Sequence, residues 1–595
     1  MPLINKPGSQ VEPKPGRLLV IASLPPRQKW LIFGLLCVAL IALLVSIGEI
    51  NRRLTVSVSA AGGEIREGIV GTPRFINPLL SVSNADRDLT TLIYSGLLRV
   101  SATGQLVPDL AANYQMSNDG LTYTFTLKDG LTWQDGQPLT AADIEFTIQK
   151  AQDPSLKSTK RAAWEGVAIN LTDDKTIVFK LAQPYPAFLE NTTLGILPKH
   201  LWDKFDFETF GLNQFNSEPI GSGPYQIQSI KRDNLGIPEH YVLKPFDNFA
   251  LSPPKISRVI TRFYPNEGEL VGAYERGEID SFGAISAETA ANLEAGGAEI
   301  TQAPLPRVFG VFFNQNRAPV LAHLEVRQAL DRAVDKQAII DGVLHGYGAI
   351  ASGPLPFFPP LKVLPDLEEE DPDRAVVDGV PARIIEAKSI LNQHGWDWDE
   401  EEKVWIKEIK KETTILSLSL ATADTPELKQ AAEMIKDDWE QLGATVELKI
   451  FELGDLDQDI IRPRQYDALF FGEILGRQPD PFAFWHSKQR LDPGLNIAMY
   501  TSTKVDNLLD EIRSGRDLDK LNTDYQRFHE LILIDMPAVF VYSPYFLYLT
   551  PAKVISAPLV PINTTADRLL NIHHWYANSD RVWSVFATDY NRLPD

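Results

Sequence analysis

A single cysteine, Cys37, serves 595 residues. No disulfide can close within the chain, so its stability must come from packing. The sequence is equally poor in the motifs of chemistry. Its nine histidines are scattered, apart from the adjacent His573-His574. On a strand that pair would point to opposite faces, and no H-E-x-x-H is present. Asp397-Trp398-Asp399-Glu400-Glu401 is acidic but lacks the D-x-D-x-D-G spacing of a calcium loop, and reads as a polar hairpin tip. No G-x-x-x-x-G-K-[ST] loop offers a seat for nucleotide. Gly221-Ser222-Gly223 is too short for a nucleophile elbow and runs into Pro224 rather than a helix. These absences argue against an enzyme, and neither a metal nor a cofactor is expected.

Basic charge is scarce as well. The net charge is −21, and no run of Lys and Arg interleaved with aromatics occurs outside the N-terminal tail. An acidic body repels phosphates, so nucleic-acid binding is not expected. Residues 1–53 are the exception, with seven basic and two acidic residues, which leaves −26 on the rest.

What is present begins with an uncharged run, WLIFGLLCVALIALLVSIG, over residues 30–48. As a helix it about spans the roughly 30 Å hydrocarbon layer of a membrane. It exceeds the usual apolar core of a cleaved signal peptide. Leu36, not a small residue, precedes Cys37, which argues against lipoprotein-type processing there. Lys6, Lys14, Arg17, Arg27 and Lys29 lie before the run, and Arg52 and Arg53 follow it closely. The positive-inside rule then puts a short proline-rich tail in the cytoplasm and residues 54–595 outside. A removed signal peptide and a buried core helix are the alternatives.

From Gly63 the chain is dense. Leu121 to Leu127 alternates Tyr123, Phe125 and Leu127 against three threonines, a half-buried strand. Thr140 with Asp143 forms a capping box for a helix, so 121–150 reads strand, turn, strand, turn, helix. Thr414–Leu420 reads as a strand. Thr425, Pro426 and Gly443 bracket a helix whose apolar positions run from Leu428 to Leu442. Thr445–Phe451 and Ala468–Phe471 follow as strands, with at best a short helix over 454–463. This β-α-β-α-β run predicts an α/β lobe with a mostly parallel sheet. Residues 351–365 read as a long loop, and Glu368-Glu369-Glu370-Asp371 as a solvated acidic surface.

Three stretches carry a resemblance. The first runs from Arg74-Phe75-Ile76-Asn77-Pro78-Leu79 through Ile93-Tyr94-Ser95-Gly96-Leu97-Leu98 and Leu106-Val107-Pro108-Asp109-Leu110-Ala111 to Leu139-Thr140-Ala141-Ala142-Asp143. The second is Pro219-Ile220-Gly221-Ser222-Gly223-Pro224-Tyr225. The third is Phe312-Phe313-Asn314-Gln315 with Val326-Arg327-Gln328-Ala329-Leu330. Together they resemble the extracytoplasmic solute-binding proteins of family 5, the oligopeptide-, dipeptide- and nickel-binding group that serves ABC importers. The resemblance covers about residues 62–550. It implies an α/β, two-lobed clamshell of the type II periplasmic-binding-protein class with an extra domain, here preceded by one transmembrane helix.

From proline content, hydropathy and charge, residues 1–29 are expected to be a disordered cytoplasmic tail, 30–49 the membrane helix and 50–62 a linker, the helix being a departure from the secreted or lipid-anchored members of the family. On the family pattern lobe I is expected from 62–99, 206–309 and 538–595, the extra domain from 100–205, and lobe III from 310–537. The ligand is expected between lobes I and III, against Ser81, Val82, Ser83 and Asn84. Phe312, Phe313 and Asn314 are expected to line the hinge. The opposite wall is expected over Gly472–Trp485, with Gly472, Glu473, Ile474, Leu475, Gly476, Arg477, Asp480 and Trp485.

One position departs from the family. Its peptide binders hold the ligand's amino group with an aspartate four residues before the proline of an acidic-Pro pair. Here that pair is Asp480-Pro481, and the position holds Arg477, which cannot clamp an ammonium. Arg477 is expected either to bind a ligand carboxylate or phosphate, or to pair with Glu473 or Asp480. The functional expectation is a membrane-anchored monomer that captures a peptide or similar small solute for ABC permease subunits. A sensing or partner-binding clamshell is the alternative, and a hydrolase stands third.

Overall fold

A computed structural model of the chain describes residues 25–583, apart from 186, 357–375, 378, 410–411, 478, 516–517, 557–558 and 560–561. The acidic run at 368–371, most of the expected loop at 351–365 and the tail up to residue 24 lie outside the described residues.

The chain divides into two compact units. The smaller joins the segment ending at Ala61 with the segment beginning at Asn578. It contains a continuous helix, Pro26–Leu54, and a strand, Thr55–Ala60, paired antiparallel with Asn578–Trp583. The helix thus starts within the stretch expected as tail and runs into the expected linker, whose remainder is largely strand. Its window Pro26–Leu43 is long and apolar enough to cross a membrane, and none of it is buried in protein. Trp30, Leu31, Phe33 and Leu35 are all more than half exposed. An apolar surface of that kind is stable only against lipid or another protein.

The larger unit, Gly62–Ala577, is organised by one mixed sheet. Its strands run in the order 445–451, 417–423, 468–474, 307–313, 538–549, 281–283, 64–70, 258–264, 238–245 and 225–232. Strand Ala538–Leu549 joins the two lobes. Ala538–Tyr542 pairs with Phe309–Phe312, whereas Tyr545–Leu549 pairs with Ile300–Pro304. The neighbouring crossing is the short stretch between Pro304 and Arg307. Separate apolar cores lie on either side. One gathers Val308 to Tyr542, and the other gathers Ile65 to Leu305 with Phe546 to Trp575.

Lobe III carries the expected α/β run. Strand Ser417–Ala423 pairs in parallel with both Thr445–Phe451 and Ala468–Ile474. Helix Pro426–Leu442 begins on Thr425 and ends at Gly443, whose φ of 104° is a left-handed cap that glycine adopts without strain. Among the described residues of lobe III the parallel run stops at these three strands, because Arg307–Phe313 then pairs antiparallel with Ala468–Ile474. The segment after Phe451 winds as a π-helix over Leu456–Ile461.

The extra domain supplies a four-stranded antiparallel sheet of 111–116, 122–127, 176–180 and 168–171. The capping box of Thr140 and Asp143 is present. Residues 130–138 make a single bridge, Thr132 to Pro138, where a second strand was expected. This domain has no core of its own, since Tyr123, Phe125 and Phe179 belong to the cluster that also holds Ile65 and Trp575. The Gly221-Ser222-Gly223 stretch explains itself here. A Cβ on Gly221 would lie 2.0 Å from the Ile93 carbonyl oxygen, so these glycines seat one backbone against another.

Candidate ligand cleft

Lobe I, the extra domain, lobe III and the C-terminal segment meet around a cavity of about 550 Å³. Strand Ala468–Ile474 delivers the lobe III wall, where Leu475, Gly476, Arg477 and Asp480 line the space. Gly476 turns there with φ +79°. Helix Asn84–Ile93 presents Arg87, Thr90 and Thr91 from lobe I. The extra domain contributes Lys160, Tyr185 and Glu190, and the C-terminal segment contributes Asn563, Thr564 and Asp567.

Arg477 ties these walls together. Its guanidinium donates to Glu190 Oε1 at 3.2 Å and to Asp567 Oδ2 at 2.6 Å. Asn563 completes the group, donating its side-chain amide to Glu190 at 2.8 Å and its backbone N–H to Asp567 at 2.9 Å. The expected partners of Arg477 are engaged elsewhere or buried. Asp480 accepts from Arg513, which lies 3.9 Å over the Phe482 ring. Glu473 is 3% exposed, neither oxygen has a partner, and burial pushes its carboxyl well above the usual range. Burial there favours the neutral form of this acid.

A family model for the bacterial extracellular solute-binding proteins, family 5, matches residues 105–490. The chain belongs to this family. It is similar to the oligopeptide-binding protein AppA of Bacillus subtilis, at 26% identity over 81% of this chain and 86% of that one. The dipeptide-binding protein of Escherichia coli is 24% identical over 82% of this chain and 90% of its own length. The crystal structure of the ABC transporter substrate-binding protein CtaP of Listeria monocytogenes superposes with a TM-score of 0.69. That likeness is at 25% identity and covers 87% of this chain and 99% of CtaP. The two-lobed family 5 fold is therefore the fold of this chain, and solute binding is its family's activity.

Against that family frame, the expected ligand residues divide. Ser81, Leu475, Gly476, Arg477 and Asp480 line the cavity. Val82 and Ile474 are 58% and 59% exposed but stand outside the lining. Ser83 is the N-cap of helix Asn84–Ile93; its hydroxyl accepts from the Asp86 N–H, and Asn84 is simply the first helical residue. Phe312 and Phe313 do not line the hinge. Both are fully buried in lobe III, packed on Trp485 and Trp439. Asn314 donates to the Arg464 carbonyl at 3.1 Å and so pins a loop. Gly472 leaves room for the Phe309 ring, which a Cβ would meet at 2.6 Å. Trp485 is core, against Phe312, Tyr500 and Phe540. His573 and His574 stack at 4.0 Å on a 3-10 turn rather than a strand, so they share a side.

Several cavity residues left little trace in the sequence. Arg87, Thr90 and Thr91 could have been found from their i, i+3, i+4 spacing on a short capped helix. Lys160 and Asn563 sit in irregular segments, and Glu190 and Asp567 on helices of only four and five residues, too short for a periodicity to read.

Proposed function

We propose that this chain captures a peptide or similar small solute in the cleft, outside the cytoplasmic membrane, and delivers it to the permease of an ABC importer. The observation that carries this is the cavity itself: four segments from both lobes enclose it, and its volume is that of a small-molecule site. The names of its relatives support a peptide, since those from Bacillus subtilis and Escherichia coli are oligopeptide- and dipeptide-binding proteins. Ligand held between two lobes shifts an open–closed equilibrium by its preference for the closed form, and a permease can read the closed face. The helix Pro26–Leu54 supports anchorage of a monomer to the membrane, with the body outside. The protein works by binding, without catalysis.

The test is mass spectrometry of solute released on denaturing the full chain, purified in detergent. Short peptides in stoichiometric amount are expected. Release of a non-peptide solute would overturn the peptide assignment, and hydrolysis of a peptide library by the protein would overturn the non-catalytic one. Edman sequencing of the mature protein tests the anchor: an N-terminus beyond residue 54 would make the helix a removed signal.

A further inference from the structure

Arg87 and Lys160 line the same cavity from lobe I and from the extra domain, and neither side chain has an ion-pair or hydrogen-bond partner among the described residues. The protein's other cavity cations are matched: Arg477 by Glu190 and Asp567, and Arg99 by Asp109 at 2.8 Å. Unmatched cations are unexpected in a chain of net charge −21. Burial lowers the Lys160 ammonium pKa, and the positive charge of Arg87 lowers it further, while Asp567 raises it without forming an ion pair. Two like charges are thus held in one cavity with incomplete compensation.

Hydroxyl-bearing residues line the same cavity. Arg87, Thr90, Thr91 and Tyr94 recur at i, i+3, i+4 and i+7, and all four line the cavity. The Thr90 Oγ1 and the Tyr94 hydroxyl are buried and have no hydrogen-bond partner. An unpaired buried hydroxyl costs free energy that a bound acceptor recovers. One helix face therefore offers a guanidinium and several O–H donors, with the Lys160 ammonium in the same space. That donor set matches an oxyanion, which accepts several charge-assisted hydrogen bonds at once.

We propose that Arg87, Lys160, Thr90 and Tyr94 form an anion subsite of the cleft, which takes a carboxylate or phosphate group of the solute. This rests on the reading of the cleft as a solute site. The lobe III wall, with its acid position filled by Arg477, then contributes closure, while the anionic group selects the ligand from the lobe I side.

Calorimetry on the full chain in detergent, stripped of bound solute, tests it with three probes. These are tetra-alanine with a free carboxylate, its C-terminal amide, and the amide with one alanine replaced by phosphoserine. Either anionic probe should bind at least about 10-fold more tightly than the plain amide, the gain of a charge-assisted contact. Whichever anionic probe gains names the source of the oxyanion. Arg87→Gln with Lys160→Gln should erase the gain. Equal affinity of all three probes for the wild type overturns the anion subsite and leaves peptide binding intact, with no need for the variant to fold. If no peptide binds, the peptide reading fails, and inorganic phosphate decides the subsite. A rise in melting temperature with phosphate, lost in the double variant, supports it; no rise overturns it.

Discussion

Arg477 and Arg568 each hold two carboxylates, and both clusters run through adjacent residues of one 3-10 turn, Thr565–Leu569: Arg568 itself, and Asp567, which accepts from Arg477. Arg568 points into lobe I. It donates to Glu67 at 2.7 Å and to Asp88 at 2.6 Å, and all three side chains are 2% exposed. Tyr548 and Ser281 donate to the remaining oxygen of Glu67. Its neighbour Asp567 reaches the other way and takes Arg477 from lobe III. The same chemistry does two jobs. In a dry, fully paired cluster it fixes the C-terminal segment to its lobe. At the edge of a cavity, with the Arg477 Nε unmatched, it joins walls that, on the proposed function, must part for a solute to enter. What distinguishes them is how much water each charge regains when the contact opens.

The largest effect is expected where no water can enter. Arg568→Ala leaves Glu67 and Asp88 buried without a cation, and should destabilise the protein by about 3–5 kcal/mol in urea denaturation. A loss under about 1 kcal/mol would mean that solvent reaches the cluster and that the contrast with Arg477 is one of location only.

A second anchor of the same segment should respond to acid. Arg99, paired to Asp109, donates to the Leu570 carbonyl and lies 5.2 Å over Phe249, which packs on His573. Burial, then the charges of Arg99 and His574, push the His573 imidazole down to about 2 from 6.5. The folded form therefore keeps His573 neutral while the unfolded chain takes up a proton below about 6.5. Stability is complete above that value and falls as pH drops toward the folded value. Between pH 6.5 and 5 the loss should be about 2 kcal/mol, at 1.36 kcal/mol per unit. His573→Asn should flatten this part of the stability–pH curve, and an unchanged slope would remove His573 as its source.

How far the sequence reached follows the same physical line. Helix Pro426–Leu442 and strand Thr445–Phe451 were legible to the residue because cap, period and stop are local. The family motifs located the fold, and Leu475–Arg477, which the resemblance implied as a wall, line the cavity. The twelve-stranded sheet was not legible, because its joining strand Ala538–Leu549 finds partners more than 200 residues away. The partners of Arg477 stand 287 and 90 residues distant, so local spacing offered only Glu473 and Asp480. Phe312 and Phe313 misled for a related reason: a strand in the middle of a sheet buries both faces, and aromatic residues beside a hinge look the same as aromatic residues that line it.

The smallest change in stability, about 1 kcal/mol, is expected from Arg477→Ala, because Glu190 and Asp567 are 21% and 13% exposed and can rehydrate as the cleft opens. Its larger consequence should be on shape and selectivity. Without the guanidinium, two carboxylates face one cavity and repel, so the ligand-free protein should shift toward an open form with a larger radius of gyration in X-ray scattering. The same two acids are then free to accept a ligand ammonium, the role that the family's aspartate plays from the position of Arg477. A solute with an amino group should gain affinity in Arg477→Ala relative to its N-acetylated form, measured by calorimetry. If scattering and selectivity both stay at wild-type values, Arg477 is a static tie like Arg568, and the difference between the two clusters disappears. If only the radius changes, the ion pair governs closure, and Glu190 and Asp567 take no part in choosing the ligand.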